Sequence, residues 1–275
     1  RSDSEVPTRE GLRPAMTPQW RLIVDDTPAS GAWNMALDRA IQLSHAEQGA
    51  PPTLRLYSWD NPTVTLGRFQ DVGSVDMDAC DRFGVDVVRR FTGGRGVLHD
   101  DELTYSIVAG VRDGVPRGVA TSYRHLCSGL VQAYRQLGVP AELTSRPRGD
   151  ASSAACYLHA THADLSVGVA KLSGSAQVWA GESVLQHGSF TRTRDLARET
   201  AVFALDASDL DKLAASTATL SEYLPEPPSL IAITRAAAQG FAEALGVEFI
   251  AGPLTAEEIL LADELFEHVL LEVHR

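Results

Sequence analysis

The chain has 275 residues, 44% of them hydrophobic and 22% charged, with a formal net charge of −12. That length can bury one full core, and the acidic balance argues against a general nucleic-acid surface. No apolar run of about 18 residues predicts a membrane span, the N-terminus has no apolar signal-peptide core, and the three cysteines lack metal-ligand spacing, which predicts free thiols in a reducing, cytoplasmic setting.

Residues 1–18 are polar and proline-bearing and read as a tail, with Met16 as the natural start and 19–275 as a single domain. A strand is expected over 20–25. Ser30 can cap a helix whose apolar positions Trp33, Leu37, Ala40, Ile41 and Leu43 follow helical spacing and end near Gly49. Strands follow at 53–58 and 63–67, broken by the Asp60-Asn61-Pro62 turn. A short helix from Asp76 to Phe83 stops at Gly84. Strands at 85–90 and 103–109 flank a glycine corner. Residues 121–137 form an amphipathic helix closed by Gly138, and a strand near 139–144 leads into a small-residue loop at 145–155. Alternation predicts strands at 164–170, 172–179 and 183–190. Helices are expected near 206–214, 227–244 and 255–274, with a strand at 246–250. This order is α+β, a mixed β-sheet packed by helices, and not a doubly wound parallel fold.

The most informative stretch runs from Arg89 to Ser106. Gly93, Gly94 and Gly96 allow close backbone approach, so their N–H groups can line an anion or carbonyl pocket. Arg89, Arg90 and Arg95 place positive charge beside them. The pattern is not that of a P-loop. Cys156 follows the small residues 151–155 and is expected to be more exposed than Cys80 or Cys127; Cys127 lies on the apolar face of its helix. Lys171 sits between two strand-like runs beside Ser173, Gly174 and Ser175. His159 and His162 are a weak metal signal with no partnering pattern.

These residues resemble the lipoate–biotin ligase and octanoyltransferase superfamily. The segments that carry the resemblance are Ser30 to Asp38, Leu54 to Gln70, the glycine corner, Lys171 to Gln177, Leu185 to Ser189 and the run from Leu254 to Ile259. The similarity covers residues 19–275. Gly-Gly-Arg at 93–95, together with Cys156 ahead of Lys171, places the chain nearest the cysteine-dependent octanoyltransferases. The residues after Cys156, Tyr157 to Leu165, depart from that branch's usual Asp-Ala-Pro-Ser-like turn.

The resemblance implies a catalytic domain of the class II aminoacyl-tRNA synthetase and biotin synthetase type. It implies that Cys156 is a nucleophile and that Lys171 reaches the acyl carbonyl. It further implies substrate contacts from Arg90, Gly93, Gly94, Arg95, Gly96, Gly174, Ser175, Ala176 and Gly188, with His99 and His187 holding the loops by hydrogen bonds. An apolar acyl tunnel is expected near Trp33, Tyr57, Leu66 and Val97. The implied donor is acyl carrier protein and the implied acceptor a lipoyl-carrier protein, either a glycine-cleavage H-type protein or a dehydrogenase lipoyl domain. Neither cofactor nor metal is needed on this route. The rival reading is a ligase using ATP, magnesium and lipoate, with Cys156 incidental; the absence of a further C-terminal domain weighs against it. Arg146 and Arg148, just before Cys156, are expected to steer an acidic carrier.

Overall fold

A computed structural model describes residues 16–144 and 164–271. The first stretch contains β1 (Gln19–Val24), α1 (Gly31–Leu43), β2 (Thr53–Tyr57), β3 (Thr63–Leu66), α2 (Met77–Phe83), β4 (Asp86–Arg89), β5 (Val97–His99), β6 (Glu102–Gly110), α3 (Val119–Gln136) and β7 (Glu142–Thr144). The second contains β8 (Asp164–Val167), β9 (Ala170–Ser173), β10 (Ser175–Ala180), β11 (Ser183–Thr191), α4 (Leu196–Val202), α5 (Ala207–Ser216), α6 (Leu220–Tyr223), α7 (Leu230–Leu245), β12 (Glu248–Ala251) and α8 (Ala256–Leu271). Among the described residues, no helix is long and apolar enough to cross a membrane.

The chain is α+β. Its main sheet is mixed, with strand order β10-β11-β6-β2-β1-β12. β1 runs parallel to β2 and β12, while β2, β6, β11 and β10 pair antiparallel in succession. Side chains alternate across this sheet. Leu54, Leu56, Tyr105 and Ile107 point to one face and meet Leu126, Leu130, Tyr134 and Phe241 of α3 and α7. Tyr57, Val108 and Leu185 point to the other and meet Leu37, Ile41, Ala262 and Val269 of α1 and α8. The sheet therefore lies between two helical layers. Two small sheets, β4-β3-β5 and β7-β8-β9, flank it.

Local chemistry sets the helix ends. Ser30 Oγ accepts from the N–H of Trp33 to cap α1, and Asp76 does the same for Ala79 at α2. Thr255 and Glu258 exchange reciprocal bonds at the start of α8. Glu258 also receives Arg21 at 2.8 Å, a buried pair that ties β1 to that helix.

The topology adds to the sequence reading and corrects it in one region. The strands before and after the glycine corner lie in different sheets, because β4 pairs with β3 while β6 pairs with β2 and β11. Between them the three-residue β5, too short to show alternation, pairs with β3. The single strand expected over 172–179 is two, since the chain leaves β9 at Gly174 and joins the main sheet as β10. The short helices α4 and α6 were not anticipated, although Asp195 caps the first and a Thr219–Glu222 box caps the second.

The α3–α7 contact depends on two glycines. A Cβ at Gly129 would lie 2.1 Å from the Phe241 ring, and one at Gly240 would lie 2.3 Å from the backbone nitrogen of Ala133. Helix propensity alone would make Gly240→Ala stabilising by about 1 kcal/mol. The backbone clash reverses the sign: overpacking costs about 1–3 kcal/mol, so the melting temperature of Gly240→Ala should fall. A rise in that temperature would mean that α3 and α7 are free to separate.

Candidate active site

Asp38 is an acid on the apolar stripe of α1, facing the polar residues of the sheet. Its Oδ1 accepts from Arg55 Nη1 at 2.8 Å and Ser106 Oγ at 2.7 Å, and its Oδ2 from the Tyr57 hydroxyl at 2.9 Å and His187 Nδ1 at 3.2 Å. Sheet register makes this possible. Arg55 pairs with Ser106, and Ser106 with His187, so three neighbouring strands aim polar groups at one carboxylate. Burial works to raise the Asp38 carboxyl, but the His187 hydrogen bond and the Arg55 guanidinium outweigh it and hold the group below its ordinary range. Burial and the nearby Asp38 charge push the Tyr57 phenol well up, so it remains a donor.

The bonding continues to the glycine corner. His187 gives its Nδ1 hydrogen to Asp38, and its Nε2 lies 2.8 Å from Thr92 Oγ1. Thr92 Oγ1 accepts from Arg90 Nε at 3.0 Å, which leaves the hydroxyl hydrogen for His187. A second path of the same form starts at buried Glu102. His99 Nδ1 lies 2.7 Å from Glu102 Oε1, and His99 Nε2 lies 3.0 Å from Thr65 Oγ1. Thr65 Oγ1 in turn accepts from Arg90 Nη1 at 3.2 Å. Burial tends to raise Glu102, but His99, Thr104 and Ser189 hold it below its ordinary range. Both paths thus end on one guanidinium.

Arg90 then closes the loop. Its Nη2 donates to the carbonyls of Gly93 and Arg95, each at 2.8 Å, and its Nη1 to that of Thr65 at 2.7 Å. Gly94 has φ +99°, and a Cβ there would lie 2.8 Å from Arg90 Nη2, so glycine is required. Gly67 packs so closely on Gly94 that a Cβ would overlap the Gly94 carbonyl oxygen. Gly96 lies against the Phe203 ring, whereas the Cβ position of Gly93 meets open space. Arg89 donates to the carbonyls of Gly67 and Gln70. Arg90 thus holds carbonyls of the glycine corner, and Arg89 those of the adjoining 67–70 turn.

The other predicted residues approach the corner through β10 and β11. Ala176 pairs with His187, and Ser175 with Gly188. A Cβ on Gly188 would lie 2.6 Å from the Gly174 carbonyl oxygen. The Ser175 hydroxyl meets that of Tyr105 at 2.8 Å, and the Ser175 backbone bonds with Tyr123. Lys171 is 2% exposed. It shares a strand face with Ser173, whose hydroxyl donates to the Ser189 carbonyl at 2.7 Å. The Lys171 carbonyl accepts from Ala218. The fold therefore gathers Arg90, Gly93, Gly94, Arg95, Gly174, Ser175, Ala176, His187 and Gly188, with His99 beneath them and Lys171 on the adjoining strand.

Cys156, Arg146, Arg148, His159 and His162 lie outside the described residues. The expected tunnel residues are divided, since Tyr57 belongs to the core under α1 and Leu66 to the core of a small sheet. Cys127 is buried, as its place on the apolar face of α3 implies, and Cys80 is fully buried where only part burial was expected.

The model of the lipoyl protein ligase A/B catalytic domain matches residues 30–242. The chain belongs to that family. Its relatives include proteins named octanoyltransferase LipM. That of Kyrpidia tusciae is 39% identical over 92% of this chain and 97% of its own length, and that of Symbiobacterium thermophilum 38% identical over 92% and 96%. Among solved structures, a lipoate-protein ligase A bound with ATP aligns with TM-score 0.76 and 27% identity, covering 90% of this chain and 94% of that one. A bipartite lipoate protein ligase of Thermoplasma acidophilum, studied with its E2 lipoyl domain, aligns with TM-score 0.73 and 28% identity over 91% and 92%.

Burial holds the His187 imidazole below its ordinary value of 6.5, so it is neutral where an unfolded histidine would be charged. The unfolded state then binds more protons just below pH 6.5, and stability must fall as pH falls through that window. In urea unfolding, the wild-type midpoint should drop from pH 7 to pH 5, and His187→Gln should flatten part of that slope. An unchanged slope in the variant would show that His187 takes up its proton in the folded state.

Proposed function

We propose that the protein is an octanoyltransferase of lipoate assembly, which moves an octanoyl group from acyl carrier protein to a lysine of a lipoyl-carrier domain through a thioester on Cys156. The observation that carries this reading is the match to relatives of that name along almost the whole of both chains. In the first half, the Cys156 thiolate attacks the octanoyl thioester, the new C–S bond forms and the carrier thiol leaves. In the second, a neutral lysine amine attacks the acyl-enzyme, an amide forms, the amine loses a proton and Cys156 is released. The first exchange is nearly balanced and the second is downhill, so the route needs no ATP. Lys171 is assigned as the cation that meets the developing oxyanion. Residues 19–275 would form the one catalytic domain, working in the cytoplasm.

The second reading is an ATP-dependent lipoate–protein ligase, favoured by the likeness to the ATP-bound ligase A. ATP, magnesium and lipoate would then bind at the glycine corner, and Cys156 would be a spectator. Intact mass after mixing with octanoyl-carrier protein separates the two. Wild type and Cys80→Ala should gain one octanoyl group, and Cys156→Ala none; full transfer by Cys156→Ala, or AMP release with lipoate and ATP, moves the assignment to the ligase. Lys171→Ala should lose about 10²–10³-fold in rate under either chemistry. A loss below about fivefold would remove Lys171 from the reacting centre.

A further inference from the structure

The 67–70 turn is built against the glycine corner, and it carries two exposed side chains that no step above uses. The N–H of Arg68 donates to the Thr92 carbonyl at 2.9 Å. Inside the turn, Gln70 N donates to the Gly67 carbonyl, Gln70 Oε1 accepts from Gly67 N, and Gln70 Nε2 donates to Ser74. Arg89 adds two bonds from below. On this fixed turn Phe69 stands 87% exposed. The Arg68 guanidinium carbon lies 5.3 Å from the Phe69 ring centroid. Arg39, half-buried on α1, lies over Phe91 at 5.7 Å, two residues from Gly93. Burial and the Arg68 charge both pull Arg39 below the ordinary arginine range, so the two guanidiniums feel one another. Glu47 acts on Arg39 in the opposite sense, and the Asp71 carboxylate turns away to Gly73 N.

We propose that Arg68, Phe69 and Arg39 form the docking surface for the acidic carrier protein that delivers the acyl thioester. This rests on the transferase reading above. An exposed aromatic with an arginine against its ring, as Phe69 and Arg68 are, is the composition found at binding hot spots. Two like charges held together on a chain of net charge −12 call for carboxylates from a partner. A carrier seated there has its thioester arm beside the corner on which Gly93 faces open space.

The test uses the full chain with Phe69→Ser, Arg68→Glu and their combination. Binding is titrated with a carrier protein bearing octanoyl as an unreactive amide, and loading is timed with octanoyl-carrier protein and with a small octanoyl thioester. The double variant should bind the carrier about tenfold more weakly, with KM for octanoyl-carrier raised in proportion and a shallower salt dependence. Loading from the small thioester should stay within about twofold of wild type. Unchanged carrier binding overturns the proposal. So does an equal loss with both donors, which would make the turn part of the chemistry or the fold, or a loss confined to transfer onto the lipoyl domain, which would make this the acceptor's surface. If wild type binds the carrier through these residues yet never forms an acyl-enzyme, the transferase reading fails and the docking surface stands.

Discussion

The candidate site depends on one buried guanidinium. Arg90 is held by two threonines, each threonine contacts a histidine, and each histidine contacts a buried carboxylate. Only a planar donor fork can meet acceptors in so many directions. Its remaining hydrogens meet the carbonyls of Gly93 and Arg95, so the shape of the glycine corner follows from the interior beneath it. Chains of buried bonds of this kind are costly when one member is missing, because each partner left behind is unsatisfied. The corner therefore has a single geometry rather than a range of loop conformations.

That arrangement joins distant parts of the chain. Asp38 comes from the first helix, Arg55 and Ser106 from central strands, and His187 from a strand some 150 residues later by the Asp38–His187 separation of 149. The sheet register places them, and the helical layers exclude water from them. Acyl transfer needs donors fixed in place before the oxyanion forms. In the glycine corner the carbonyls of Gly93 and Arg95 are held from within by Arg90. The outer rim uses the remaining charge differently, with Arg68 and Phe69 presented to solvent.

Much of this was legible in the sequence. The α+β class and the strand and helix order follow from periodicity, caps and glycine positions, and the site segments from the family resemblance. In the structure His187 bonds to Thr92 beside the glycine corner and pairs with Ala176 on the next strand. What sequence could not give was the direction of Arg90, because a run of arginines beside glycines reads equally as exposed charge or as an internal clamp. Only the placement of Thr65, on a strand 25 positions earlier, decides it. Asp38 carried a signal, an acid in phase with Met35, Leu37 and Ile41, but its four donors come from strands that no local pattern connects. The split of 172–179 into two strands was hidden because Gly174 interrupts the alternation for a single residue.

The carboxylate under α1 and the glycine corner are coupled through His187 and Thr92. A double-mutant cycle measures this coupling directly, with Asp38→Asn and Thr92→Val compared by urea unfolding against the variant carrying both. If the path through His187 is one bonded unit, the double variant should be less damaged than the sum of the single effects by at least about 1 kcal/mol. Effects that add to within about 0.5 kcal/mol would show that the two residues act independently, and would contradict the claim that the helix acid sets the shape of the loop.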